Sequence, residues 1–242
     1  MRGLIERRAG RPIEVVAVSA RDRTRDRGIN LSRFQWVDDT TALAELDGVD
    51  VIVELIGGSD GPALVLARKT IANGRAFVTA NKAMIAHHGL ELAEAAERAN
   101  VALKYEAAVA GGIPVIKGLR EGAAANEISG VFGILNGTCN YILSTMESAG
   151  RDFADVLSEA QALGYAEADP TFDVGGFDTA HKLAVLTSLA FGVEVNLKAI
   201  DIEGIEQITL DDIRQAGEMG YKIKLLGVAV ASEQGIEQRV HP

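Results

Sequence analysis

The 242-residue sequence predicts an α/β protein with a mostly parallel sheet in its first half. Three observations carry this. Short β-branched runs alternate with Ala/Leu/Glu-rich segments of helical period up to about residue 105. The intervening segments are long enough for βαβ crossovers, which impose parallel pairing. Beyond Glu106 the texture changes, so a second, α+β unit is expected over 106–242, after a first over 1–105.

In the first unit, Ile13-Glu14-Val15-Val16-Ala17-Val18 is expected to be a strand, and so is Val49 to Ile56, which ends at Gly57-Gly58. Ala63 to Asn73 has helical period and is stopped by Asn73-Gly74. Ala76 to Thr79 is a third strand, His88 to Asn100 a helix and Val101 to Tyr105 a fourth strand. Ligands of such sheets sit at the carboxyl ends of the strands, which places the Gly57-Gly58 and Asn81-Lys82 loops on the ligand side. In the second unit Ile128 to Leu135 is a strand, and Thr138 is expected to cap a helix running to about Ser148. Asp152 to Leu163 is a helix stopped by Gly164, and a polar stretch follows from Tyr165 to Gly176. Asp178 is expected to cap a long apolar helix to about Phe191. Leu210 to Met219 is a further helix and Ile223 to Val230 a further strand.

Composition narrows the function classes. A net charge of -10 disfavours binding to phosphate backbones, and no apolar run reaches the length of a membrane span. Met1 to Arg11 is basic but lacks the apolar core of a signal peptide. The single cysteine, Cys139, permits no intrachain disulfide, so a cytoplasmic location is expected. The four histidines, two of them the adjacent His87 and His88, do not show metal-ligand spacing.

Two lysines stand out. Asp178 and Lys182 are four apart at a helix start and share a face, preceded by Glu167, Asp169 and Asp173. Such a cluster suits an ammonium ligand with a lysine to move a proton; it reads equally as a solvated acidic loop followed by an ion-paired helix. Lys82 follows a buried strand on the ligand side, or simply begins a surface helix. Gly57-Gly58 allows close approach of a ligand or makes an ordinary βα turn. Asn136-Gly137-Thr138 is a strand-to-helix turn or an anion-facing helix start, and Cys139 is read as a small packed residue. Arg21, Arg23 and Arg25 form a basic loop after the first strand, where a ribose 2′-phosphate is often read.

The runs Ala80 to Ala83, Tyr105 to Pro114, Gly133 to Tyr141, Gly164 to Asp173 and Asp178 to Lys182 resemble the homoserine dehydrogenase family in order and spacing. The resemblance covers essentially the whole chain. It implies a Rossmann-type nucleotide-binding domain followed by a substrate and dimerisation domain, and NAD- or NADP-dependent interconversion of L-homoserine and L-aspartate 4-semialdehyde by a homodimer. By that likeness Lys182 is the general acid/base and Lys82 a second active-site lysine near cofactor and substrate. Glu167, Asp178 and Asp173 serve the substrate, and Ile56, Gly57 and Gly164 lie near the nicotinamide cofactor. Glu106, Val109, Gly111 and Ile113 match a structural sodium site, largely through backbone carbonyls. The family opens with a strand and a Gly-x-Gly-x-x-Gly turn. Met1 to Arg7 matches the helix after that turn, so the first strand and its phosphate loop are expected to be missing from this sequence, as is family sequence beyond Pro242. The competing expectation is a non-catalytic fragment that keeps the substrate-binding and dimerisation half.

Overall fold

The computed structural model describes residues 2–242. Helix α1 (Arg2–Ala9) precedes a short parallel pair, β1 (Ala17–Val18) and β2 (Gln35–Trp36). Strands β3 (Val51–Glu54), β4 (Ala76–Thr79) and β5 (Leu103–Lys104) form a parallel three-stranded sheet, linked by α2 (Pro62–Ala72) and α3 (Lys82–Arg98). The expected βαβ crossovers are therefore present. Their core joins Phe77 and Ile52 of the sheet to Leu66 and Ile71 of α2 and Met84 and Leu92 of α3. Phe77 is fully buried, which contributes roughly 1.5–3 kcal/mol.

After β5 come a single turn at Glu106–Ala108 and the short α4 (Val115–Lys117), which runs into a π turn at Gly118–Gly122. The second unit continues with β6 (Gly130–Gly133), α5 (Gly137–Ala149), α6 (Phe153–Ala162), α7 (Thr171–Val174) and α8 (Phe177–Phe191). Strand β7 (Ile200–Ile202), α9 (Leu210–Glu218) and the hairpin β8 (Leu226–Ser232) and β9 (Gly235–His241) complete it. The sheet order is β6-β8-β9-β7, antiparallel except where β7 runs parallel to β9. Its core packs α5, α6 and α8 around Ile142, Leu143, Val156 and Leu183. A third cluster, Ile85 and Ala86 of α3 with Ile116, Val185 and Leu186, seats α3 against α8. This seam positions the site, because it brings the first turns of α3 and α8 together.

Several expected boundaries move. Helix α3 starts at Lys82, six residues before His88, because the Asn81 side chain accepts from the Met84 amide and caps the helix there. His87 and His88 thus lie within the helix. Helix α5 is capped by Asn136, whose Oδ1 accepts from the Cys139 amide; Thr138 instead donates to the Tyr165 carbonyl. Asp178 does not cap α8: Gly176, in the left-handed region at φ 85°, precedes the helix and Asp178 sits in its first turn. A Cβ at Gly176 would approach Val240 and Ile202 to 3.0 and 3.1 Å, so both its backbone angle and its neighbours favour glycine. Residues 13–16 are not strand, and Ile13, Val15 and Val16 are exposed. Strands β2, β7 and β9 had no sequence expectation. In β9 the period-2 signal was weakened by the polar Gln238 at a buried position between Ile236 and Val240.

Candidate active site at the α3–α8 seam

Asp178 is the centre of the site. It is 4% exposed, yet every partner it has is a cation or an amide donor. Lys82 Nζ, from the first residue of α3, lies 2.8 Å from Oδ1. Lys182 Nζ, one turn along α8, lies 2.6 Å from Oδ2, and Asn136 Nδ2 donates to the same oxygen at 2.8 Å. Burial pushes the Asp178 carboxyl up, but Lys182, followed by the hydrogen bonds from Lys182, Lys82 and Asn136, outweighs it and holds the group below the usual carboxylate range. The i,i+4 spacing read from sequence is therefore a buried pair, with a second lysine delivered from the other unit.

Lys182 also donates to the Leu135 carbonyl at 2.7 Å, which fixes its head group between β6 and α8. Asn136 Nδ2 bridges Asp178 to Asp173 Oδ1 at 2.8 Å, so Asp173 joins the cluster through an amide rather than a lysine. Lys82 Nζ stands 5.9 Å from the centroid of the Phe172 ring. His181 packs edge-on against Phe172 and His87, each at 5.2 Å between centroids, and makes no hydrogen bond to Asp178. Burial, with His87 and Lys82 nearby, lowers its pKa.

The residues expected to hold sodium have a different geometry. Both oxygens of the Glu106 carboxylate accept backbone amides, from Ile116 and Lys117 at 3.0 Å, so its side chain caps α4. Val109 is buried, and Ala110 and Gly111 form a left-handed turn at φ 61° and 56°. Among the described residues no group of three His, Cys, Asp or Glu side chains can hold a metal. Any cation here would be held by carbonyl oxygens, a donor set that suits a hard ion.

On the ligand side of the parallel sheet, Gly57 and Gly58 adopt φ 86° and 84°, with open space where a Cβ of Gly57 would stand. A cleft of about 380 Å³ lies at the ends of β1 and β2, lined by Ser19, Arg21, Arg23, Trp36, Asp38 and Ile56. Arg23 stacks over Trp36 at 5.6 Å, and Trp36 Nε1 donates to Asp38. A hollow of about 530 Å³ on β7 and β9, lined by Asp201, Glu203, Glu237 and Arg239, contains none of the expected residues.

The structure thus brings together Lys82, Lys182, Asp178 and Asp173. It does not bring Glu167 to them: Glu167 is exposed, and its segment is held by Gln161 Nε2 donating to the carbonyls of Glu167 and Ala168. Gly164, at φ 76°, terminates the turn after α6 in the same exposed segment. Ile56 and Gly57 connect to Lys82 only indirectly, through the buried Glu54. Sequence reasoning read Asn136 as part of a turn or an anion-facing helix start, not as a bridge between carboxylates, and gave no role to Glu54. The signal for Glu54 was present: a carboxylate stands inside the apolar run Val49 to Ile56, and in β3 it is Glu54 and Ile52 that are buried while Val51 and Val53 are exposed.

Both halves of the chain match family models. Residues 1–106 match the model of the homoserine dehydrogenase NAD-binding domain, and residues 114–242 match that of the homoserine dehydrogenase domain. The chain is 51% identical over 238 residues to homoserine dehydrogenase of Neisseria gonorrhoeae, covering 98% of this chain and 54% of that protein. It is 46% identical over 240 residues to the Corynebacterium glutamicum protein of the same name, covering 97% and 54%. A crystal structure of a homoserine dehydrogenase from Thiobacillus denitrificans superposes with a TM-score of 0.95 at 49% identity, covering 99% of this chain and 55% of that one. The chain spans about half the length of the curated relatives it matches. With both family models matched in order along the sequence, the chain belongs to the homoserine dehydrogenase family.

Proposed function

We propose that the chain carries the cofactor and substrate machinery of an NAD- or NADP-dependent homoserine dehydrogenase, which interconverts L-homoserine and L-aspartate 4-semialdehyde. One observation carries the reading: a buried carboxylate, Asp178, gathers lysines from two separate structural units at one point. A surface ion pair needs no such convergence. The cofactor, when bound, supplies or accepts the hydride. The chain's own residues orient the substrate and move one proton. Lys182, fixed by Asp178 and the Leu135 carbonyl, is placed to give or take the proton at the substrate oxygen. Lys82 adds positive charge where an alkoxide develops. By the family resemblance Glu167 and Asp178 serve the substrate's ammonium group, which selects an amino acid over a simple aldehyde; Asp178 is also engaged by Lys82 and Lys182, Glu167 stands exposed and apart from them, and Asp173 accepts from Asn136.

In the same reading residues 1–105 form the nucleotide-binding domain and residues 106–242 the substrate and dimerisation domain of a cytoplasmic homodimer. Ile56, Gly57, Lys82 and Gly164 face the cofactor; the turn at Gly57-Gly58 supports this, since its glycines leave the backbone open to close approach. Glu106, Val109, Gly111 and Ile113 would hold a sodium ion, supported by the left-handed turn at Ala110-Gly111 beside a carboxylate already used as a helix cap. No helix among the described residues is long and apolar enough to cross a membrane. The test is oxidation of L-homoserine by the 242-residue chain with NAD or NADP, followed at the reduced-nicotinamide absorbance. Turnover that disappears in Lys182→Ala is the expected result. A folded chain that neither turns over nor binds NAD or NADP would overturn the reading.

A further inference from the structure

We infer that Glu54 is a positioning residue that locks the Gly57-Gly58 turn and Lys82 into one unit, so that cofactor-side backbone and active-site lysine move together. The inference rests on the reading of Lys82 given above. Glu54 is 1% exposed, at the carboxyl end of β3, directly beside Thr79 in the parallel register. Its carboxyl group accepts three hydrogen bonds and donates none. Oε1 takes the amides of Ile56 at 2.5 Å and Gly57 at 3.0 Å, and Oε2 takes the Thr79 hydroxyl at 2.5 Å. Thr79 Oγ1 in turn accepts the Asn81 amide at 2.9 Å. The Asn81 side chain closes the ring: Nδ2 donates back to the Gly58 carbonyl at 2.7 Å, and Oδ1 accepts the Met84 amide that starts α3. Lys82 is the next residue, and its ammonium reaches Asp178 at 2.8 Å. Beyond the strand ladder, where the Ala80 amide reaches the Glu54 carbonyl at 3.3 Å, two loops 23 to 25 residues apart in sequence are therefore tied by side chains at the edge of the sheet where ligands bind.

A carboxyl group so deeply buried is costly unless its hydrogen bonds require it. A filler role would be served by leucine or methionine. An amide does not replace it either: glutamine at this position presents one acceptor oxygen and an NH₂ to partners that are all donors. Thr79 would have to accept from both that NH₂ and the Asn81 amide, and its own hydroxyl proton would lose its acceptor. The pattern demands two oxygens, and what they hold is the path from Ile56 to Lys82.

The test is by NMR on the 242-residue chain, labelled with ¹⁵N and with its lysines ¹³C-dimethylated, so that it needs no turnover. In Glu54→Gln the amide signals of Ile56 and Gly57 shift because their acceptor has changed. The inference requires that the Asn81 amide and the Lys82 methyl signals shift as well, although neither touches Glu54, while Lys222, paired with Glu147 on another surface, stays in place. Thr79→Val is expected to move the Gly57 amide and Lys82, and Thr79→Ser, which keeps the hydroxyl, to restore both; this pair decides the matter if Glu54→Gln does not fold. If Asn81 and Lys82 stay unmoved in a folded Glu54→Gln or in Thr79→Val, the coupling is overturned. Where the unaltered chain oxidises homoserine, Glu54→Gln is expected to lower kcat by about tenfold to a hundredfold through misplacement of Lys82, with a smaller change in cofactor KM. A folded, unaltered chain without turnover or cofactor binding sinks the functional reading and leaves the NMR outcome standing.

Discussion

Two carboxylates that resemble family substrate ligands are held in opposite ways. Asp178 is buried on α8, with donors from α3, from its own helix and from the residue before α5. Glu167 lies exposed between α6 and α7, and its carboxylate has no partner among the described residues. One carboxylate is already engaged by the protein's own lysines; the other, in the reading proposed above, would meet a ligand. The proposed difference is one of organisation against recognition: Asp178 fixes where the two ammonium groups stand, and Glu167 would add affinity without shaping the fold. Preorganised groups of the first kind lower barriers, whereas exposed groups of the second kind act chiefly on binding.

The comparison breaks most visibly at Lys182. Lys182→Ala is expected to lower kcat for homoserine oxidation by about 10²–10⁴-fold, the contribution of a positioned acid/base, while circular dichroism stays native. Near-normal turnover would remove Lys182 from the chemistry. Asp178→Ala should act on stability instead. It leaves two lysines facing each other without their shared counter-charge and is expected to cost about 3–5 kcal/mol by chemical denaturation. A loss below about 1 kcal/mol would show that the cluster does not anchor the α3–α8 seam. The same carboxylate sets a pH dependence. Its folded pKa lies below the ordinary 3.8, so its contribution is present above that value and disappears as pH falls through the folded one. Asp178→Asn should flatten the stability profile on that acid side, and an unchanged profile would assign the acid limb to other carboxylates.

Glu167→Gln sharpens the other half of the comparison with a smaller effect. KM for homoserine is expected to rise about tenfold, equivalent to roughly 1.4 kcal/mol, with stability unchanged within about 0.5 kcal/mol. Lost stability with an unchanged KM would reverse the assignment.

The sequence made one side of this comparison far easier to read than the other. Helical period and βα punctuation located α2, α5, α6, α8 and α9 to within a few residues, because amphipathic period and helix stops are local signals. The Asp178–Lys182 pair was legible for the same reason, being one turn apart on one helix. Resemblance to the family pointed to Lys82, but spacing gave no way to see that its ammonium meets Asp178, since that contact depends on the packing of Ile85 and Ala86 against Val185 and Leu186. Asn136 was visible only as a turn or helix-start residue, because its bridging of Asp173 and Asp178 joins positions 37 and 42 residues away. Glu54 was hidden inside an apolar run. The early start of α3 was missed because the helix was expected to begin at His88, whereas Asn81 provides the cap. Strand β7 is only three residues long and pairs with β9 across 38 residues, and β9, although it closes a tight hairpin with β8, buries a polar Gln238 on its inner face, so neither showed a clear apolar pattern.

Cys139 offers the smallest effect and the finest gauge of the organised region. It is fully buried in the first turn of α5, and its thiol donates to the Asp173 carbonyl at 3.2 Å, directly beneath the Asn136 bridge. A helix start ordinarily favours a thiolate, but here burial, followed by the charges of Asp173 and Asp178, pushes the thiol up to about 12 from 9.0. That difference cuts the thiolate fraction at neutral pH by about a thousandfold, so the native chain should be almost inert to a thiol reagent and react at the free-thiol rate only in denaturant. The residual native rate then reports how often the cluster opens. It should rise in Asp178→Ala, which unties Asn136 from α8, and stay at the native level in Glu167→Gln, which unties nothing. Equal labelling rates in the two variants would mean that Asp178 does not hold this region closed, and the contrast between an organising and a recognising carboxylate would fail at its structural root.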